Sequence, residues 1–106
     1  MSAAKRTRGA TRPEAFDESR GVFMISVAAE LAQMHPQTLR TYEARGLIEP
    51  QRSPKNTRLY SQRDVELLQR IQQLTAEGLN LAGVERVLAL EQRLAELERG
   101  ADADAT

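Results

Sequence analysis

Apolar residues near the start of the chain repeat at the spacing of a short helix. Four of them recur at intervals of one, three and four positions: Val27, Ala28, Leu31 and Ala32. This spacing predicts a helix over residues 27–34, and Ser26 offers a side-chain oxygen as its N-cap. The apolar run at residues 22–25 is compatible with one brief strand.

A second helix is predicted to begin at Pro36, because proline suits a first turn and is unfavourable inside a helix. It continues through Arg45 and ends at Gly46, a residue that readily adopts the left-handed conformation. Two short helices with a tight connection form a helix-turn-helix. Leu39 can face the core of that unit. The other residues of the second helix are mostly polar, so this helix can enter a major groove.

The next segment predicts a small hairpin. Short apolar edges at residues 47–51 and 59–60 flank a polar loop, residues 52–58, that contains three basic residues. The loop lacks the Asn-Gly pair of a tight turn. A basic hairpin beside a recognition helix is a wing.

Two further helices follow. Ser61 and Asp64 have the spacing of a capping box, and the third helix continues to Gly78. Asn80 can cap a fourth helix, residues 80–100, which has an apolar stripe: Leu81, Val84, Val87, Leu88, Leu90, Leu94 and Leu97.

The stripe on the fourth helix needs a partner. Positions 87, 90, 94 and 97 have the 3-4-3 spacing of a coiled-coil seam, although they cover less than two heptads. A lone helix of this length is marginal in water, so its partner is either its own domain or a second copy of the chain. We favour a homodimer with these dimerisation residues: Val84, Val87, Leu88, Leu90, Leu94 and Leu97.

These elements predict a mainly α fold, a winged helix-turn-helix with a short C-terminal dimerisation helix. Residues 1–21 are predicted to be a disordered or loosely attached basic arm. Residues 22–79 form the DNA-binding domain, residues 80–100 the C-terminal helix, and residues 101–106 a frayed tail.

Charge is divided unevenly along the chain. The whole chain is neutral, with 15 Lys and Arg against 15 Asp and Glu. Residues 1–63 hold 11 of these cations against 6 anions and residues 64–106 hold 4 against 9, so the two parts carry +5 and −5. Such asymmetry indicates an anion-binding module joined to a different functional element.

The composition also excludes several classes of site. The chain has no Cys and one His, which excludes disulfides, Cys-based zinc sites and thiol redox sensing and leaves too few nitrogen ligands for most catalytic metal sites. Neither a membrane span nor a secretory signal is present, so we expect a cytoplasmic, nucleoid-associated protein. Without a nucleophile–base pair or a Gly-rich phosphate loop, we expect no enzyme activity, no cofactor and no metal.

Several short motifs in a fixed order resemble the DNA-binding domain of the MerR family. They are ISVA, TLRTYE, RGLI and RLYS, which begin at positions 25, 38, 45 and 58, and the pair Asp64-Val65. Over residues 23–90 the chain looks like the HspR-type heat-shock repressors of that family. The resemblance implies a repressor dimer on an inverted-repeat operator before chaperone and Clp genes. It also implies a DnaK-type chaperone as co-repressor in some members.

The chain departs from the family in two places. His35 stands where many members have Ser or Thr before the proline, and imidazole is a weaker cap, so tertiary packing is expected to hold this helix start. The chain also ends soon after the fourth helix, so we expect control by protein partners or temperature rather than by metals, thiols or drugs.

The resemblance and the predicted elements mark a set of candidate DNA-binding residues: Thr38, Arg40, Thr41, Tyr42, Arg45, Arg52, Lys55, Asn56, Arg58 and Tyr60. The arginines and tyrosines can contact phosphate or a base edge, and the threonines phosphate or a thymine methyl. Most have a structural alternative: ion pairs for Arg40 and Arg58, packing beneath the wing for Tyr42, and solvated positions for the threonines and for the wing-tip residues Arg52, Lys55 and Asn56. Tyr60 is equally suited to a hydroxyl contact and to packing against the third helix. For Arg45 the alternative is the helix dipole, which by itself favours a cation at this end of the helix.

Two other functions remain open at the level of sequence. One is a protein-interaction module whose acidic C-terminal part docks a chaperone or a polymerase subunit. The other is an excisionase-like architectural factor that bends DNA with weak sequence preference.

Overall fold

The computed structural model describes the backbone of residues 17–105 and the side chains of residues 17–101. Most of the predicted basic arm therefore lies outside the described residues. The described chain is mainly helical, with one two-stranded sheet, in this order: α1 (Ile25–Ala32), α2 (Pro36–Ala44), β1 (Gln51–Arg52), β2 (Arg58–Leu59), α3 (Gln62–Ala76) and α4 (Leu81–Ala105). It divides into two compact units, Met1–Leu68 and Gln69–Thr106.

Helix α1 begins earlier than the sequence predicts, and Ser26 is not its cap. The N-cap is Met24, which is extended and offers no side-chain hydrogen bond. The cause is a non-local bridge, because the Phe23 N–H donates to the Tyr60 carbonyl (2.9 Å) and the Tyr60 N–H donates to the Phe23 carbonyl (2.7 Å). That bridge is the counterpart of the brief strand predicted at residues 22–25. The helix ends at Gln33, which is left-handed at φ 59°.

Helix α2 begins at Pro36 as predicted, and His35 caps it. The His35 Nδ1 accepts a hydrogen bond from the Gln37 N–H at 3.2 Å. The imidazole therefore caps a helix start that we expected to be held mainly by tertiary packing. Gly46 ends the turn that follows, with φ 79°, and the Leu47 N–H donates to the Tyr42 carbonyl. This is the left-handed helix termination that the glycine predicts.

The core of the first unit combines small side chains on α1 with large ones from the other elements. Ala28, Ala29 and Ala32 are buried and let neighbouring elements approach the helix closely. The larger buried residues around them are Leu39, Ile48, Tyr60, Val65 and Leu68. Burial of each large apolar side chain contributes about 1.5–3 kcal/mol. This core therefore fixes α2 from its inner side and leaves its outer side to solvent.

The wing is a short hairpin with an organised tip. Its strands are antiparallel and pair Arg52 directly with Arg58. The Ser53 hydroxyl accepts hydrogen bonds from the N–H groups of Lys55 (3.2 Å) and Thr57 (3.1 Å). Asn56 is left-handed at φ 68°, a conformation that asparagine tolerates. The loop thus closes through the Ser53 hydroxyl and the left-handed Asn56, without an Asn-Gly turn.

Residues 17–21 are attached to the wing, unlike the loose arm expected there. The Gly21 N–H donates to Gln51 Oε1 (2.7 Å), and Gln51 Nε2 donates to the Ser19 carbonyl (3.2 Å). The next residue, Val22, donates its N–H to the Tyr60 carbonyl at 3.0 Å. We call residues 17–23 the strap. The backbone of the strap pairs with Tyr60, the residue that follows β2.

The cap predicted for α3 is present. The Asp64 N–H donates to the Ser61 hydroxyl (3.0 Å), and the Ser61 N–H donates back to the Asp64 carboxylate (2.9 Å). This is the reciprocal pairing of a capping box.

In the second unit, Gly78 has φ 103° after α3, and Asn80 Oδ1 accepts from the Gly83 N–H at 2.9 Å. An ion pair joins Arg70 of α3 to Glu91 of α4. Helix α4 continues past Gly100, where we expected it to end, because that glycine lacks the positive φ with which a glycine ends a helix.

Candidate nucleic-acid interface

Helix α2 presents one polar outer face. Leu39 is fully buried, while the outward positions recur at three- and four-residue intervals: Gln37, Arg40, Thr41, Ala44 and Arg45. Gln37 was missed by the sequence analysis, although its spacing from Arg40 and Thr41 identifies it as a member of the same face. The Gln37 carboxamide can form two hydrogen bonds with an adenine edge, and the neighbouring Arg40 can contact a phosphate or a guanine edge.

The threonines of α2 differ from each other in their surroundings. The Thr41 hydroxyl donates to the Gln37 carbonyl at 3.1 Å, a back-bond common for this residue in helices. Its side chain is exposed, so the methyl group and an oxygen lone pair are still available to a ligand. Thr38 is half-buried. Arg40 is exposed and makes only a long contact of 3.4 Å from Nη1 to Gln37 Oε1.

The two tyrosines lie towards the core. Tyr42 is half-buried and packs against the core of the first unit. Tyr60 is fully buried, and its hydroxyl has no hydrogen-bond partner among the described residues. Burial and then the nearby Glu43 carboxylate raise the pKa of Tyr60. Of the two roles open to Tyr60, its burial agrees with packing, because a hydroxyl inside the core cannot reach a phosphate.

Both strands of the wing are tied to α2 by one carboxylate. Arg58 Nε donates to Glu43 Oε1 at 2.6 Å, and Arg52 Nη2 donates to Glu43 Oε2 at 3.3 Å. The first of these contacts raises the pKa of the Arg58 guanidinium. Arg58 therefore forms an ion pair, which was the structural alternative to a phosphate contact, and its carboxylate partner Glu43 lies on the recognition helix. Sequence reasoning missed Glu43, since no local spacing tells where a hairpin lies against a helix.

The tip of the wing and the end of α2 supply the remaining cations of this surface. Lys55 and Asn56 are exposed in the wing loop, and Arg45 is exposed directly after α2. The first unit thus has basic side chains on two adjacent elements, α2 and the wing.

Within residues 17–101, no group of three or more metal-ligating side chains is present. None of the described helices is both long and apolar enough to cross a membrane.

The predicted dimer seam is exposed only in its C-terminal part. Leu90, Leu94 and Leu97 are 60%, 55% and 59% exposed and lie on one side of α4. Val87 and Leu88 are half-buried, while Val84 is fully buried within the chain. Val84 is therefore a core residue rather than a surface available to a partner. We call Leu90, Leu94 and Leu97 the leucine stripe.

The arrangement of helix, helix and wing has known counterparts. The chain matches the family model for the "MerR HTH family regulatory protein" over residues 23–91. It belongs to the MerR family. "Putative heat shock protein HspR" of Streptomyces coelicolor is 49% identical over 87 residues, which are 81% of this chain and 58% of that protein. "HTH-type transcriptional regulator GlnR" of Bacillus anthracis is 36% identical over 71% of this chain and 58% of its own length.

Solved structures of transcription regulators share the fold. The transcription regulator PbrR691 from Ralstonia metallidurans CH34, solved in complex with lead(II), superposes with a TM-score of 0.63 at 31% identity. The match covers 77% of this chain and 68% of the PbrR691 chain. A second solved structure is that of HiNmlR, a MerR family regulator that lacks the sensor domain, bound to promoter DNA. It superposes with a TM-score of 0.60 at 25% identity, and the match covers 76% of this chain and 67% of the HiNmlR chain. The chain spans somewhat more than half the length of the curated relatives named above.

Proposed function

We propose that this MerR regulator is a sequence-specific repressor of heat-shock genes that binds an inverted-repeat operator as a homodimer. The observation that carries the proposal is the polar outer face of α2 beside the basic wing, both in the first unit. HiNmlR supports it as a relative of the same fold bound to promoter DNA. The 49% identity to the Streptomyces coelicolor protein supports the assignment to heat shock.

The proposed contacts divide into two kinds. Side chains on the outer face of α2, chiefly Gln37 and Arg40, are proposed to read base edges from the major groove. Arg52, Lys55 and Arg58 on the wing are cations suited to phosphate, which positions a protein without reading sequence. Arg45, Thr38, Thr41, Tyr42 and Asn56 complete the proposed surface as supporting contacts. Tyr60 holds the wing from inside.

The second copy is proposed from the leucine stripe. Three exposed leucines on one side of a helix form an apolar surface that water disfavours, and an identical stripe is its natural complement. A two-fold dimer also matches the symmetry of an inverted repeat. In this organisation residues 22–79 bind DNA, while the helix that begins near residue 80 joins the two copies.

Operator binding is tested by fluorescence anisotropy. One duplex contains an inverted repeat from a chaperone-gene promoter and the other a scrambled version, each at two salt concentrations. We expect an operator Kd of about 10⁻⁸ M or tighter, with discrimination of about 10³-fold or more. Arg40→Ala should weaken operator binding by about 1–3 kcal/mol and relax preference at one base. Arg86→Ala, which removes an exposed arginine from α4, is the matched control. Equal binding of both duplexes by the wild type would overturn the proposal.

The dimer and the co-repressor are tested separately. Leu94→Glu should shift the protein from dimer to monomer in sedimentation, whereas Gln92→Glu adds the same charge on the opposite side of α4 and should not. A wild-type monomer at micromolar concentration contradicts the dimer. Adding a DnaK-type chaperone to the anisotropy assay should tighten operator binding; no change would remove the chaperone from the proposal and leave the repressor.

A further inference from the structure

Glu43 occupies an unusual position for an acidic residue in a proposed DNA-binding surface. It lies on the recognition helix α2, and its two carboxylate oxygens receive donors from two different strands of the wing. Arg58 Nε reaches Oε1 at 2.6 Å, and Arg52 Nη2 reaches Oε2 at 3.3 Å. Its side chain is 24% exposed and that of Arg58 is 32% exposed, so solvent screens this pair less than it screens a fully exposed one.

The wing needs a charge of this kind. Arg52 and Arg58 are direct partners in the register of the hairpin. Like charges directly opposite each other on an antiparallel pair destabilise it. A carboxylate that accepts from both offsets the repulsion, and because Glu43 belongs to α2 it also fixes the wing relative to the recognition helix.

The hydrogen-bond pattern leaves Arg58 able to bind a further anion. A guanidinium has five N–H donors, and the contacts described for Arg58 use only Nε. Arg52, in contrast, uses Nη2 for Glu43 and Nη1 for the Asn56 carbonyl at 3.3 Å. Both terminal nitrogens of Arg58 thus remain for a phosphate, in the fork geometry that suits a bidentate contact.

We propose that Glu43 is a positioning residue that orients the wing, and Arg58 within it, for a DNA phosphate. This rests on the proposed function of the outer face of α2 and the wing. It makes a prediction opposite in sign to simple electrostatics. Removing an acidic group from a DNA-facing surface should strengthen binding to every duplex, because phosphate repulsion falls. If Glu43 positions Arg58, its removal should instead weaken operator binding.

The test is Glu43→Gln, which keeps the size of the side chain and removes its charge. Glu49→Gln is the matched control, because Glu49 is an exposed acid of the same unit. We expect Glu43→Gln to bind the operator about tenfold more weakly than Glu49→Gln, a difference of about 1.4 kcal/mol. In an Arg58→Ala background the effect of Glu43→Gln should largely disappear, since the group being positioned is gone.

A readout without DNA separates positioning from general damage. In the wild type, the Arg58 Nε–H resonance should exchange slowly with water, and Glu43→Gln should make it exchange faster while the circular dichroism spectrum stays unchanged. Operator binding by Glu43→Gln as tight as, or tighter than, that of Glu49→Gln overturns the proposal. If the wild type does not prefer the operator, the repressor function fails instead, and the ratio of the two variants on either duplex still decides the role of Glu43.

Discussion

At Gly21 the strap passes close to the wing, and Gly21→Ala should therefore destabilise the first unit. A Cβ added at this residue would lie 2.6 Å from the Leu59 carbonyl oxygen and 2.9 Å from Gln51 Oε1. The first contact is with backbone, so relief requires the strap or β2 to move. Overpacking of this kind costs about 1–3 kcal/mol. The hydrogen bond from the Gly21 N–H to Gln51 would be lost or lengthened in the same movement.

The assay uses the two tyrosines of the chain, Tyr42 and Tyr60, which both belong to the first unit; there is no Trp to obscure them. Tyrosine fluorescence during urea unfolding should show a lower midpoint for Gly21→Ala. The control is Gly100→Ala in α4, where an added Cβ meets nothing within 4 Å and the backbone is already helical. There the same substitution should stabilise by up to about 1 kcal/mol, seen by circular dichroism. Equal midpoints for Gly21→Ala and the wild type would refute the close approach.

Three further predictions concern stability. Ser61→Ala should lower the thermal midpoint by the equivalent of about 1 kcal/mol because the capping box of α3 is lost, whereas Ser26→Ala should not, because Ser26 caps nothing. Leu39→Ala should cost about 2–5 kcal/mol in urea unfolding, and a smaller loss would mean that the core of the first unit closes over the gap. Arg70 lowers the pKa of Glu91 below its usual value near 4.5, so this pair stabilises the fold above that value and the stabilisation is lost as pH falls through the lower, folded pKa. Glu91→Gln should remove about 0.2–1 kcal/mol of the difference in stability between pH 7 and pH 3; an unchanged difference would contradict the pair.

The sequence predicts most of the helix ends in this fold because their causes are local. The glycines after α2 and α3 have positive φ, and the Ser61 and Asn80 side chains cap the helices that follow them. Helix α1 is the exception. Its start is set by the bridge between Phe23 and Tyr60, two residues far apart in the chain. The helix propensities and capping residues near Ser26 therefore do not predict where this helix begins.

The candidate site follows the same division. Periodicity shows which positions of α2 face outward, whereas Arg40 and Tyr42 were marked by the resemblance of the TLRTYE motif to the MerR family. The burial of Tyr60 and Val84 depends on which elements pack together, and periodicity assigns a stripe to a helix without telling which part of the stripe its own chain covers. Glu43 was invisible for a related reason, because its partners Arg52 and Arg58 are brought to it by the path of the hairpin.

The wing of this protein is held in place by side chains more than by its own ladder. Strands of two residues form too few hydrogen bonds to be stable alone. Consecutive residues of a strand point to opposite faces, and on β1 each face has its own anchor: Gln51 binds the strap, and Arg52 binds Glu43 of α2. If DNA binding depends on the wing as proposed, Gly21→Ala and Glu43→Gln should each weaken operator binding, although neither residue is proposed to touch DNA. Their effects should exceed the sum when combined, because either anchor alone still limits the movement that the loss of both permits.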